Sequence, residues 1–139
     1  MFPLSLLGFA VATIAVAASS VNGSGTIRFG QSVEHISVTA SGSSGRATFE
    51  DKAAGGNVNG QISIRCVTVL GNTATLSGLV THSNKKSMIG QEAVFRIVDN
   101  GSRGRDMASL INFHTPGTGT DCTAGEFDLT PVKGNFTVQ

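Results

Sequence analysis

Apolar side chains recur at every second position through most of this chain, and no window of helical length carries an apolar stripe at a 3.6-residue spacing. The clearest run is Val58, Gly60, Ile62, Ile64 and Cys66, with Gln61, Ser63 and Arg65 on the opposite phase. Successive side chains of an extended strand point to opposite faces, so this alternation puts one face in a core and the other in water. It confines the chain to a β-sheet architecture and leaves the turns to decide which one.

Eight strands follow from the alternation and its interruptions. In the first, Ile27, Phe29, Gln31 and Val33 share a face, and after Glu34-His35 the phase shifts to Ile36, Val38 and Ala40, as a bulge or bend produces. Ser41 to Gly45 is a turn, and Ala47 and Phe49 mark a short second strand. Asp51 to Asn57 turns the chain into a third strand, Val58 to Leu70, which ends at Gly71-Asn72, a tight hairpin signal. Ala74, Leu76, Gly78 and Val80 form the inner face of the fourth strand. Ala93, Phe95 and Ile97 do so in the fifth, after a loop from Ser83 to Gly90. Beyond the turn Asp99 to Asp106, Met107, Ser109, Ile111 and Phe113 face one way in the sixth strand. A loop from Thr115 to Gly125 leads to a short seventh strand at Phe127 and Leu129. The eighth is Val132 to Gln139, with Phe136 and Val138 inward and Asn135 and Thr137 outward. Consecutive strands with short connections form an antiparallel meander, and closure into an up-and-down barrel removes its free edges. The expected fold is all-β: a single eight-stranded antiparallel barrel, with a two-sheet sandwich as the alternative.

The amino-terminal stretch is a different object. Residues 1–18 carry no charge, and Leu4 to Ala18 is an almost unbroken apolar run. A secretory signal has an apolar stretch of roughly 7–15 residues, whereas a spanning helix needs about 20. Val16 and Ala18 supply the small residues for cleavage between Ala18 and Ser19. The sequence therefore divides into a signal peptide at 1–18, a flexible segment at 19–25 and an all-β domain at 26–139. The mature protein is expected outside the cell, with no membrane attachment after cleavage.

Ten basic and nine acidic residues all fall in the mature part. Such balance creates no long-range field to attract nucleic acid or an anionic membrane. Eighteen glycines against three prolines fit many turns in a folded chain rather than a disordered linker. Tryptophan and tyrosine are missing, and the mature phenylalanines all sit in strand patterns that need them inside, which leaves no ring to stack on a sugar. A monomer is expected. Cys66 and Cys122 are the only cysteines, and in an exported chain an isolated pair reads as a disulfide. Closing a loop of roughly 55 residues would contribute about 4 kcal/mol on the chain-entropy account. Cys66 falls on the inward phase of its strand with Ile62 and Ile64, so the bond would pin the glycine-rich loop around Cys122 to the barrel wall.

Several stretches read together: Val58-Asn59-Gly60-Gln61-Ile62-Ser63, then Gly71 to Gly78, then Val94-Phe95-Arg96-Ile97-Val98-Asp99-Asn100-Gly101, and last Gly134-Asn135-Phe136-Thr137-Val138. This pattern resembles small secreted all-β domains of Gram-positive bacteria, of the post-COAP type, over about Gly25 to Val138. The resemblance implies export and a β-rich domain, and it implies no settled activity and no catalytic residues. The turn after Asn100-Gly101 departs from it, lacking a proline and carrying Arg103 and Arg105.

Candidate sites are few. Asn22-Gly23-Ser24, Asn100-Gly101-Ser102 and Asn135-Phe136-Thr137 are glycan acceptor triplets, so Asn22, Asn100 and Asn135 are possible attachment points in a eukaryotic host. His35, His82 and His114 could form a three-histidine metal site only if three separate strands brought them together. Asp99, Asn100 and Asp106 lack the spacing of a calcium loop, and Asp99-Asn100-Gly101 reads as a turn whose side chains cap backbone groups. Lys85-Lys86 and Arg103 with Arg105 should lie at opposite ends of a meander and form no common patch. No nucleophile elbow or phosphate loop occurs, and Glu50 and Asp51, being adjacent, face opposite ways. The expectation is a non-catalytic extracellular module for an unknown ligand or protein, binding or structural in role, without cofactor or metal. The alternative is a small exported hydrolase or isomerase using the barrel mouth. An interior cavity lined by His35, His82 or several carboxylates would mark the enzyme, and a filled interior the module.

Overall fold

A computed structural model describes residue 8 and residues 19–53, 55–115, 122 and 126–139. The amino-terminal apolar run, with the cleavage position expected between Ala18 and Ser19, and most of the Thr115 to Gly125 loop lie outside the described residues. Ten strand segments follow one another: β1 Ser20–Phe29, β2 Ser32–Ser41, β3 Ser44–Ala53, β4 Gly56–Leu70, β5 Thr73–Ser83, β6 Glu92–Val98, β7 Met107–Ser109, β8 Asn112–His114, β9 Leu129–Pro131 and β10 Lys133–Val138. Helix among the described residues is limited to single 3-10 turns at Lys86–Met88 and Gly101–Arg103.

All pairing is antiparallel, in the order β10-β1-β2-β3-β4-β5-β6-β7-β9, with β8 beside β6. Only Val132 separates β9 from β10, so this one segment bonds β7 at its start and β1 along its length. The sheet thereby curls nearly into a closed barrel. Its seam is completed by side chains. Asp106 Oδ2 accepts the Phe136 N–H at 2.7 Å, Asp99 Oδ2 accepts the Val138 N–H at 3.0 Å, and the Asp106 carbonyl accepts the Val132 N–H at 2.9 Å. Carboxylates stand where a neighbouring strand's carbonyls would otherwise satisfy the edge of β10.

Alternation explains what fills the barrel. Val21 and Ile27 of β1, Ile36 and Val38 of β2, Phe49 of β3, Ile62 and Ile64 of β4, Leu76 and Val80 of β5, Phe95 and Ile97 of β6, and Phe136 of β10 are all buried in one cluster. Burying a side chain of this size contributes about 1.5–3 kcal/mol.

The structure departs from the alternation reading at several places. The single first strand is two strands, turned at Gly30-Gln31, where Gly30 takes φ +57° as the first residue of a two-residue hairpin loop. Glu34 keeps phase with Ile36, and no shift occurs at Glu34-His35. Residues 20–25, read as flexible, are paired on both sides, to β2 and to β10. Gly25 is small because the Phe136 ring occupies its face: a Cβ there would lie 2.9 Å from that ring. The sixth strand breaks into β7 and β8, because the Ile111 N–H turns to the Glu34 carboxyl (3.3 Å) and the Ser109 hydroxyl takes the Arg96 N–H (2.9 Å). Phe127 lies outside any strand. Its ring packs against the Arg96 guanidinium at 4.3 Å, and Phe29 is 39 % exposed, so the phenylalanines are not all internal.

Candidate functional site

Register lays the outward side chains of the sheet into cross-strand rows. Lys133, Thr26, His35, Glu50 and Asn59 form one row, and Ser37, Thr48, Gln61 and His82 run beside it. On this face a cleft of about 770 Å³ opens to solvent, walled by His35, Thr48, Glu50, Asn59, Gln61, His82 and Ser83, with Ile89 at its rim. Beneath it Phe49 and Gly60 face each other across β3 and β4, with the Phe49 ring buried in the barrel core. A Cβ at Gly60 would stand 2.6 Å from the Phe49 ring, so the missing side chain is what lets the ring lie there.

A bulge explains how His82 joins the cleft. Strict alternation from Ala74 through Val80 would turn His82 inward. The register between β4 and β5 shifts by one residue at Gln61/Ile62, which leaves Thr81 unpaired and sets His82 opposite Gln61 on the outer face. His35 Nδ1 shares a hydrogen bond with the Thr26 hydroxyl at 3.0 Å, and His82 Nδ1 with the Thr81 hydroxyl at 3.2 Å. Each ring keeps Nε2 for a ligand. Asn84 caps the wall, accepting the Asn59 N–H and donating to the Asn57 carbonyl, both at 2.9 Å. The cleft therefore offers amide, hydroxyl, imidazole and carboxylate groups, with Ile89 at the rim, a composition suited to hydrogen-bonding a polyhydroxylated ligand. His114 is not part of it: it lies on β8 opposite Glu92. Among the described residues no three His, Cys, Asp or Glu come together to hold a metal.

A second feature lies inside the barrel. Glu34 and Asp51 face each other across β2 and β3, both on the inward phase. Glu34 is 3 % exposed. Burial first, then the hydrogen bond and charge of Asp51, push its carboxyl up to about 9, while the Ile111 N–H works the other way. Burial also raises Asp51, and its hydrogen bond with Glu34 opposes the rise. Glu34 thus holds the proton and donates it to the Asp51 carboxylate, whose buried Oδ1 has no partner. Glu34 is enclosed by the core, and Asp51, toward the end of β3, is half-buried. Sequence reasoning saw Glu50 and Asp51 as neighbours that cannot cooperate, and missed this cross-strand pair. Its signal was the inward phase that Glu34 shares with Ile36 and Asp51 with Phe49.

The other predicted positions fall as follows. Cys66 and Cys122 form a disulfide with Cα atoms 5.9 Å apart. Cys66 is on the outer face, not the inner: the register shifts again at Ile64/Cys66, leaving Arg65 extra, so Val67 and Val69 take over the core phase. The bridge pins Cys122 against the outside of the wall, where Thr68 donates its hydroxyl to the Cys122 sulfur at 2.9 Å. Asp99, Asn100 and Asp106 make a capped turn, with Asp99 Oδ1 accepting the Gly101 N–H and Asp106 Oδ1 the Asn100 N–H, both at 2.9 Å. Asn100 Nδ2, the atom a glycan would need, is bonded to the Arg105 carbonyl at 2.7 Å. Asn22 and Asn135 are exposed on β1 and β10. The Arg103 turn is tied to Asn72, at the end of β5 opposite the Lys85-Lys86 loop. Arg105 nevertheless meets Arg28 and Lys133, a grouping the sequence did not suggest.

No family model, no curated protein and no solved structure matches the chain.

Proposed function

We propose that the protein is a secreted, non-catalytic binding module that takes a neutral polyhydroxylated ligand, a polysaccharide segment, in the outer cleft between His35 and His82. The observation that carries this reading is the placement of ligating groups. The interior is packed with apolar side chains, and of its acid pair Glu34 is buried and Asp51 half-buried. The polar groups with hydrogen-bonding capacity to spare line an open cleft on the outside. The disulfide and the apolar leader support an extracellular setting. The resemblance to post-COAP-type domains agrees with export and a β-rich domain, and bears on neither reading of the activity.

Sedimentation with insoluble cellulose, chitin and β-glucan tests the reading. The wild-type protein should partition with at least one of them, and Gln61→Ala with His82→Ala should release it while circular dichroism stays unchanged. Equal partitioning of wild type and double variant, or no partitioning at all, would overturn it. One observation favours a second reading: His35, Glu50 and His82 share one cleft, as acid-base chemistry would require. That reading demands turnover of a soluble oligosaccharide that disappears in His35→Ala, and the module reading demands none.

A further inference from the structure

A second cleft, of about 560 Å³, lies on the barrel seam and is lined by Thr26, Arg28, Arg105, Pro131 and Lys133. Three elements bring its cations together. Arg28 follows Thr26 on the outward phase of β1, and Lys133 of β10 stands directly opposite Thr26. Arg105 comes from the turn before β7 and is held by its Nε–H, which donates to the Val132 carbonyl at 3.3 Å. That bond leaves both terminal nitrogens of the guanidinium to face a ligand. The lining contains no aspartate or glutamate, and among the described residues none of the three cations has a carboxylate partner. Glu34, the nearest acid by register on β2, points into the barrel.

Three unpaired cations gathered at one cleft of a chain with net charge +1 make a local anion site, not the consequence of a basic protein. Guanidinium groups present parallel N–H donors that fit the oxygens of phosphate and sulfate, and a lysine adds a mobile point charge. We infer that Arg28, Arg105 and Lys133 bind a tetrahedral oxyanion, a phosphate or sulfate group, free in solution or carried as an ester on a polymer. The site adjoins the His35–His82 cleft through the Thr26–His35 hydrogen bond but has its own lining, and it does not depend on the function proposed for that cleft.

Titration of the folded protein with inorganic phosphate and with sulfate, followed by amide and arginine Nε–H resonances, tests the inference. Saturable shifts in the millimolar range should centre on Arg28, Arg105, Lys133 and Thr26. Arg28→Gln with Lys133→Gln should weaken binding by about tenfold or more, the equivalent of about 1.4 kcal/mol, whereas Lys85→Gln with Lys86→Gln, an equal loss of charge elsewhere, should leave it unchanged. Arg105 stays unaltered in both variants, so its bond to Val132 continues to hold the seam. Dextran sulfate and neutral dextran form the second arm. Dextran sulfate binding more tightly than the free ions, with the same dependence on Arg28 and Lys133, identifies an ester on a polymer as the source, and equal binding identifies a small solute. The inference is overturned if neither ion shifts these resonances, or if the Lys85-Lys86 variant loses as much affinity as the Arg28-Lys133 variant.

Discussion

Glu34 sits where alternation calls for a hydrophobe, and the barrel tolerates it by keeping it neutral. Because its folded carboxyl is raised from 4.5 to about 9, the native state binds more protons than the unfolded chain across that interval. The stability this group contributes is therefore full below about pH 4.5, falls as pH rises toward about 9, and is level beyond. Glu34→Gln cannot ionise and should remove most of that slope. Melting temperatures of both proteins across this pH range are the check, and an equally steep decline in the variant would contradict the assignment. Asp106 has the opposite task. Its two oxygens accept the N–H groups of Asn100 and Phe136 at a position only 4 % exposed. Leaving a buried amide without an acceptor costs about 1–3 kcal/mol. Asp106→Ala should lose about 2–4 kcal/mol in urea unfolding, and Asp106→Asn, which keeps one acceptor oxygen, about half as much. A loss under about 0.5 kcal/mol, the level of an ordinary surface change, would show that the seam is closed by something else.

Strands whose inner positions carry Ile, Val, Leu or Phe were legible from sequence, and those whose inner positions carry glycine were not. β4, β5 and β6 announce themselves, as does the Gly71-Asn72 hairpin. β1 is hidden because Gly23 and Gly25 stand at inward positions and give no apolar signal, although they are small for close packing against β10. Gly30-Gln31 uses the same glycine-first hairpin chemistry as Gly71-Asn72, and was masked by apolar residues on both sides of it. Bulges were the other blind spot: one extra residue at Arg65 and another at Thr81 reverse the phase beyond them. The first moves Cys66 to the outer wall, which gives the disulfide its role as a strap over the outside of β4. Reduction should lower stability by about 2–5 kcal/mol, while amide exchange in the Gly71-Asn72 hairpin stays slow. Exchange that accelerates across β5 and β6 to the same degree would show instead that the bridge supports the whole barrel. Two free thiols in the unfolded, unreduced protein would remove the strap altogether.

For the molecule as a whole, a barrel this small faces a choice between an open lumen and a filled one. Phe49, Phe95 and Phe136, with the aliphatic side chains around them, fill it. The proposed recognition surface then lies on the outside, where curvature and register create clefts that no linear pattern displays. His35 and His82 are far apart in sequence and become neighbours only through three strand registers and one bulge. The acid pair and the cation cluster arise in the same way, from register rather than spacing. This is why the fold was largely legible and the sites were not. The most direct test is amide chemical-shift mapping with a soluble oligosaccharide of whichever polysaccharide retains the protein. Shifts confined to Thr48, Glu50, Asn59, Gln61 and His82 are the result expected of an outer-face binding module. Shifts centred on Glu34, Asp51 and Ile111 would place the ligand inside the barrel and contradict it.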